Sequence, residues 1–135
     1  MTAIATRPLS DSTDSLLRFA MRADATLTGF LGLAGAATAG PLAALTGLTA
    51  TQEYLLGALF VLCGLTVFSL AALPNLRHAG ITVIAANVVC TVGAVAAVES
   101  AVLPLTGIGV AAFLASGAYT AFFAVVQYLG LRRLA

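Results

Sequence analysis

Four polar side chains in otherwise apolar stretches are the residues of this chain best able to do chemistry: Asp24, Asn87, Tyr119 and Gln127. Asp24 directly precedes one uncharged stretch, and Gln127 lies near the end of another, so both should lie at the boundary of the apolar region. An ionisable group is costly to bury among apolar groups and is often functional. We interpret this pair first as a hydrogen-bonded tie, with a proton or substrate site as the alternative.

Asn87 should lie much deeper than Asp24. It is eight residues into its apolar stretch, about 12 Å along a helix that rises 1.5 Å per residue. An amide at that depth needs hydrogen-bond partners because water does not reach it. We expect Ser116, Tyr119 and Thr120 to be within its reach. A buried polar tie is the favoured interpretation, and a ligand-binding amide is the alternative.

The cysteines and the histidine do not indicate a metal or redox site. Cys63 and Cys90 both lie in apolar runs and are expected to be unlinked, packing as small apolar side chains. Two thiols without a nearby histidine make a poor metal site, and His78, the only histidine, is expected in a loop. We also find no nucleotide-binding glycine fingerprint and no metalloprotease motif. The sequence therefore predicts no catalytic, cofactor-binding or metal-binding residues, and a protein that is not an enzyme.

The composition places these residues in a membrane. Hydrophobic residues make up 61% of the chain and charged residues 8%, whereas a soluble domain averages about 45–50% and about 25%. Lipid can solvate such an apolar surface, because hydrocarbon tails impose no penalty on exposed Leu, Val or Ala. The net charge of +1 gives no basic field suited to nucleic acid. We expect the lipid bilayer as the main partner.

The charges separate four uncharged stretches, each near the length of about 20 residues that a membrane-spanning helix needs. The predicted fold is all-α, a transmembrane four-helix bundle in a single domain over residues 1–135. The predicted spans are 25–40 or longer, 54–73, 79–98 and 105–130. Gly40-Pro41 interrupts the first stretch, so 41–47 is either a kinked continuation or a short interfacial turn. Pro104 is expected near the first turn of the fourth span.

The arginines predict the orientation. All six lie before span one, between spans two and three, or after span four, and there is no lysine. The two other loops carry Glu53 and Glu99 and no arginine. Because an excess of arginine marks the cytoplasmic side, both termini are expected in the cytoplasm of a protein of the cell membrane. A cleavable signal peptide ending near Ala37-Thr38-Ala39 is the rival interpretation.

A short cytoplasmic or interfacial helix is expected over residues 10–24, running on into span one. Ser10 or Ser12 should cap it. Arg18 and Arg22 are expected to reach anionic lipid. Four apolar side chains are expected along the headgroup boundary: Leu16, Leu17, Phe19 and Met21.

Two rows of small residues occur at helical spacing and are typical of close helix packing. On span one the row is Thr28, Gly32, Ala36 and Gly40; on span four it is Ala112, Ser116, Thr120 and Ala124. We expect packing inside the bundle, with a docking face for another membrane protein as the alternative.

Four short motifs resemble a family of small four-span membrane proteins common in actinobacteria. The segment from Arg22 to Leu33 matches the R-x-D-A-x-x-T/S-G-x-x-G-L opening of that family, and Gly40-Pro41-Leu42 matches its G-P-L turn. Ala86-Asn87 in the third span and Gln127-x-x-Gly-Leu-Arg-Arg at the end of the fourth are also similar. The resemblance implies the four-span architecture and no established activity.

Three functions remain open from the sequence. The favoured one is an accessory or scaffolding subunit, or a homo-oligomer, that acts through helix contacts with another membrane protein or with itself. The second is a small carrier or channel with Asp24, Asn87 and Gln127 along its path. The third is an enzyme acting on lipid or quinone, which has the least support.

Overall fold

The protein folds as five α-helices in a computed structural model that describes residues 12–135. The helices are α1 (Ser15–Ala37), α2 (Ala39–Thr46), α3 (Ala50–Leu70), α4 (Arg77–Glu99) and α5 (Gly107–Arg132). The all-α fold class is confirmed. Helices α3, α4 and α5 are each long and apolar enough to cross a membrane, and α1 with α2 forms a bent pair that would make a fourth crossing.

Helix α1 runs without interruption from Ser15 through Asp24 to Ala37, so the expected N-terminal helix and the first span are one element. The predicted cap at Ser12 is wrong, because Asp14 is the N-cap and makes no side-chain capping bond. The Ser12 hydroxyl instead donates to the Asp14 carboxylate. The other predicted cap, Ser10, lies outside the described residues, as do Arg7 and Asp11.

A 90° bend separates α1 from α2. The break is at Thr38, not at the predicted position near residue 40. Pro41 explains this offset, because a proline lacks the N–H that would bond to the residue four positions earlier, and its ring clashes with that carbonyl group. Here the affected carbonyl belongs to Ala37. The proline thus ends α1 one turn before itself, and the segment after the bend is a short helix.

Both connections at the α2 end of the bundle are held together by polar groups. Thr49 and Gln52 form a capping box at the start of α3, and Thr106 caps α5 by accepting from the backbone N–H of Gly109 at 3.1 Å. The Thr106 N–H donates to the Thr46 carbonyl at 2.9 Å. Pro104 lies three residues before the first residue of α5, near the predicted position.

Helices α1 and α3 pack through their backbones. A Cβ atom added to Gly57 would lie 2.5 Å from the Ala36 nitrogen, and one added to Gly64 would lie 2.7 Å from the Ala25 carbonyl oxygen. Gly32 meets Gly57 equally closely. Such small residues let two helices approach until side chains no longer separate them. Larger residues at these positions would push α1 and α3 apart.

The two predicted small-residue rows are only partly used for packing. On α1, Gly32 and Ala36 pack against Gly57, but a Cβ on Gly40 would meet nothing within 4 Å, because Gly40 lies beyond the bend. On α5, Ala112 and Ser116 are exposed. The expectation of a continuous packing row is therefore wrong for these two residues and for Gly40.

The packing order of the long helices is α3, α1, α5, α4. The most extensive contacts join α1 to α3 and α4 to α5, and α1 also packs on α5. Helix α2 contacts both α3 and α5. Helices α3 and α4 are consecutive in the chain, but α3 packs mainly on α1 and α4 mainly on α5. Both keep an open outer surface.

A buried apolar cluster joins the helices at the arginine-bearing end. It consists of Leu17, Met21, Ala71, Leu76, Ala79 and Val83. Leu17 and Met21 are fully buried here, so their predicted place at the headgroup boundary is wrong, although Phe19 is 69% exposed.

Arg18 does not extend outward as predicted. Its guanidinium donates to the carbonyl oxygens of Ala71 at 2.5 Å and Leu73 at 3.0 Å, just after the end of α3. It also forms an ion pair with Asp14 at 2.6 Å. Together with the Ser12 hydroxyl, Arg18 holds the pKa of Asp14 below its ordinary value of 3.8. Arg18 therefore ties the start of α1 to the end of α3.

Candidate functional site

The site is centred on Asp24, which is buried although it carries an ionisable carboxylate. Because α1 begins at Ser15, Asp24 lies nine residues into the helix, about 14 Å along it at 1.5 Å per residue. Asp24 is therefore well separated from the start of α1. The part of α1 that precedes it packs into the bundle through Leu17, Ala20 and Met21.

Two amides bind one oxygen of this carboxylate. Asn87 Nδ2 donates to Asp24 Oδ2 at 2.9 Å, and Gln127 Nε2 donates to the same atom at 2.8 Å. Asn87 Nδ2 also donates to Gln127 Oε1 at 2.9 Å. The predicted hydrogen bond between Asp24 and Gln127 is thus present, and Asn87 joins it from α4.

Two hydroxyl groups bind the other oxygen. Thr28 Oγ1 donates to Asp24 Oδ1 at 3.1 Å, and Tyr119 Oη donates to it at 3.2 Å. The two hydroxyl oxygens lie 2.9 Å apart. Tyr119 Oη is also 3.1 Å from the Asp24 carbonyl oxygen. We call Asp24, Thr28, Asn87, Tyr119 and Gln127 the Asp24 cluster.

The predicted partners of Asn87 are wrong. The side-chain amide of Asn87 donates to Asp24 and Gln127, and not to Ser116, Tyr119 or Thr120. Thr120 instead pairs with Thr91, one turn further along α4, at 2.7 Å between the hydroxyl oxygens. Asn87 turns towards α1 because Asp24 lies at the same depth, which the sequence interpretation had not allowed for.

The cluster matches the hydrogen-bonding capacity of a carboxylate. An ionised carboxyl group accepts through both oxygens and donates nothing, and here each oxygen has two neutral donors. Hydrogen bonds between membrane helices contribute about 0.6 kcal/mol on average and up to about 1.7 kcal/mol. The cluster therefore ties α1, α4 and α5 together at one level.

A second buried acid lies at the α2 end of the bundle. Glu53 is in the first turn of α3 and accepts a hydrogen bond from the Thr46 hydroxyl. The sequence analysis had placed Glu53 in a loop. Its position four residues after Thr49, the N-cap residue of α3, was the available signal, because a residue in the first turn can fold back over the preceding corner.

Thr28 was also missed as a site residue, since its spacing from Gly32 assigned it to helix packing. Its position four residues after Asp24 was the signal, because residues four apart lie on the same face of a helix. In the structure it faces the carboxylate and Tyr119.

The remaining candidate residues lie away from the cluster. Cys63 and Cys90 are free thiols, as expected, and both are exposed on the surfaces of their helices. His78 is in the first turn of α4, not in a loop. Among residues 12–135, no group of three or more His, Cys, Asp or Glu side chains is placed to hold a metal ion.

Comparison with protein-family models, with curated proteins and with solved structures gives no match to this chain.

Proposed function

We propose that the chain is an integral membrane protein that crosses the bilayer four times and acts through helix contacts, as an accessory subunit or a homo-oligomer. The apolar lengths of α3, α4 and α5 and of the bent pair of α1 and α2 support four crossings. In the part of the chain that the structure describes, the arginines lie near the start of α1, the start of α4 and the end of α5. With alternating crossings these three places share one side, which the excess of arginine marks as cytoplasmic.

The observation that carries this proposal is the uncovered surface of α4. In its most apolar window of 18 residues, 11% of residues are buried, against 22% in the corresponding window of α5. Helix α4 packs mainly on α5 and touches α1 near the Asp24 cluster. Most of its surface is left for lipid or for another helix.

One exposed face of α4 is built of small side chains. We call it the α4 outer face; it consists of Thr82, Ala86, Val89, Gly93 and Ala96, all exposed. A Cβ atom on Gly93 would meet nothing within 4 Å, whereas Gly57 and Gly64 of α3 are covered by α1. A surface of this composition allows close approach of a second transmembrane helix. Contact at this face is therefore the proposed activity.

Cysteine crosslinking in native membranes tests the proposal. In a background with Cys63→Ala and Cys90→Ala, Val89→Cys should give an oxidative dimer or a crosslink to a larger membrane protein. Leu62→Cys on α3 is the matched control, since Leu62 is 61% exposed and Val89 69%. Equal crosslinking at both positions, or none at Val89→Cys, would show that the α4 outer face has no partner.

A small carrier is the second candidate, and the Asp24 cluster is the observation that favours it. Acidic side chains inside transmembrane segments mark many substrate and proton pathways. The 90° bend between α1 and α2 resembles the broken helices of transporters in kind. A concentration-dependent flux into vesicles that Asp24→Asn abolishes would favour the carrier over the contact proposal.

A further inference from the structure

We infer that Asp24 is a proton-binding site, and that the proton binds at its Oδ1 atom while the hydroxyls of Thr28 and Tyr119 reorient. This goes beyond the proposed contact function and does not depend on a partner at the α4 outer face. The ligand is a proton taken from water and returned to water. One O–H bond forms or breaks at Oδ1, and the charge of the cluster changes by one.

The two oxygens of the carboxylate have different neighbours. Oδ2 faces the amide groups of Asn87 and Gln127, which also bond to each other and so are held as donors. Oδ1 faces the hydroxyls of Thr28 and Tyr119. A hydroxyl group can donate or accept, and its hydrogen rotates to suit. A proton on Oδ2 would collide with fixed N–H donors, whereas a proton on Oδ1 would meet groups that can turn into acceptors.

The same heavy-atom positions satisfy the hydrogen bonds of both protonation states. In the ionised state, Thr28 and Tyr119 each donate to Oδ1. In the protonated state, Oδ1 donates to Thr28 Oγ1 over 3.1 Å, Thr28 donates to Tyr119 Oη over 2.9 Å, and Tyr119 donates to the Asp24 carbonyl oxygen over 3.1 Å. The added proton therefore sits on Oδ1 and the two hydroxyl hydrogens turn, while no side chain has to move.

Among residues 12–135, the surroundings of Asp24 supply no cation to keep it permanently ionised. Tyr119 is the titratable group of α5 that touches it. Helix α4 presents Asn87, followed one turn later by the exposed thiol of Cys90. Between Glu53 and its end, α3 carries no charged residue.

The two arginines of α1 are also directed elsewhere. Arg18 binds Asp14 and the carbonyl groups that follow α3, and Arg22 is exposed at the surface. Burying a carboxylate without a cation is costly. A proton on Oδ1 removes that charge while both oxygens of Asp24 keep hydrogen-bond partners.

The position of the hydroxyl pair indicates the side from which the proton enters. Thr28 lies one turn beyond Asp24 towards the α2 end, and Tyr119 lies eight residues before Gln127 in the same direction. Thr28 and Tyr119 are partly exposed, whereas Gln127 is fully buried. The hydroxyl side of the cluster is therefore the more accessible one, and the proton exchanges there and not past the amides.

Infrared difference spectroscopy on the full chain in lipid vesicles tests this inference. The C=O stretch of a protonated carboxylic acid should appear as the pH is lowered and should be absent from Asp24→Asn. In Tyr119→Phe the ionised state loses one donor, while in the protonated state Thr28 can turn to the Asp24 carbonyl four residues earlier. The band should then appear at a pH higher by about one unit, a change of about tenfold in proton affinity. Tyr128→Phe, an exposed position on the same helix, should leave the band unchanged.

Three results would overturn the inference. They are an Asp24-dependent band present at every pH, no such band at any pH at which circular dichroism shows an intact helical fold, and an equal shift in Tyr119→Phe and Tyr128→Phe. If Asp24→Asn does not fold, the comparison of the two tyrosine variants decides by itself, because both keep the carboxylate.

Discussion

Gly130 of α5 lies directly against the backbone of Leu17 of α1: a Cβ atom on Gly130 would be 2.7 Å from both the nitrogen and the Cα atom of Leu17. No side chain can adapt at that contact, because the neighbouring atoms belong to a helix backbone. The contact lies beside the buried apolar cluster that contains Leu17 and Met21.

Gly130→Ala should therefore destabilise the fold by about 1–3 kcal/mol, the usual range for overpacking. Gly93→Ala is the matched control, since nothing lies within 4 Å of its added Cβ, and alanine is favoured over glycine inside a helix by about 1 kcal/mol. Thermal unfolding in mild detergent, followed by circular dichroism, should show a lower midpoint for Gly130→Ala and an equal or higher one for Gly93→Ala. A loss of stability in both would mean that the close contact is not the cause.

Asp24→Leu should cost more stability than Asp24→Asn. Leucine removes the carboxylate that accepts from the two amides and two hydroxyls of the Asp24 cluster, and a buried donor without a partner costs about 1–3 kcal/mol. Asparagine keeps one oxygen as an acceptor for Thr28 and Tyr119, so it leaves fewer buried donors without a partner than leucine does. Unfolding midpoints of the two variants in the same detergent measure the difference. Equal midpoints would show that the cluster does not tie α1 to α4 and α5.

The proposed topology predicts which positions a membrane-impermeant thiol reagent reaches in intact cells. In the background without native cysteines, Thr51→Cys at the start of α3 should be labelled from outside, and His78→Cys at the start of α4 should not. Both residues are exposed, so burial does not explain a difference. Leu76 in the connecting loop is unsuitable because it is buried. Labelling of His78→Cys in intact cells would contradict the proposed orientation.

Acid should weaken the tie between α1 and the end of α3. The Ser12 hydroxyl and Arg18 lower the pKa of Asp14 below 3.8 in the folded state. A lowered folded-state pKa contributes stability above the unfolded-state pKa, and this contribution is lost as the pH falls through the folded-state pKa. Because the pair is partly exposed, the contribution is at most about 1 kcal/mol.

Asp14→Asn should therefore lower the unfolding midpoint near neutral pH and leave it unchanged relative to the parent below the folded-state pKa of Asp14. Unfolding curves of the parent and the variant across that pH range would test this. A constant difference at all pH values would assign the effect to something other than the charge of Asp14.

The helices could be predicted from the sequence because their apolar lengths reflect the medium that surrounds them. The pairing of Asp24 with Gln127 could also be predicted, since it required only that both lie on the same side of the bundle. The depth of Asp24 could not, because the start of α1 depends on the burial of Leu17 and Met21 by α3 and α4. The roles of Arg18 and Glu53 were missed for a related reason. A charged side chain in a short polar segment can either extend into solvent or bind a neighbouring part of the protein, and the sequence does not distinguish the two.

The rotation of each helix about its own axis also could not be predicted from the sequence. Thr28 and Gly32 are four residues apart and were assigned to one packing row, yet one faces Tyr119 and the other faces Gly57. Two neighbouring helices meet α1 on adjacent sides, and a spacing of four residues is compatible with either of them.

The Asp24 cluster also sets an order for biosynthesis. Asp24 is on α1, which a ribosome completes first, whereas Tyr119 and Gln127 are on α5, the last of the five helices to emerge. The pair of α1 and α3 can form early through Gly32, Gly57 and Gly64, but the carboxylate then lacks three of its four side-chain donors. A nascent or truncated chain would thus carry an acid that lacks most of its hydrogen-bond partners until α5 is complete.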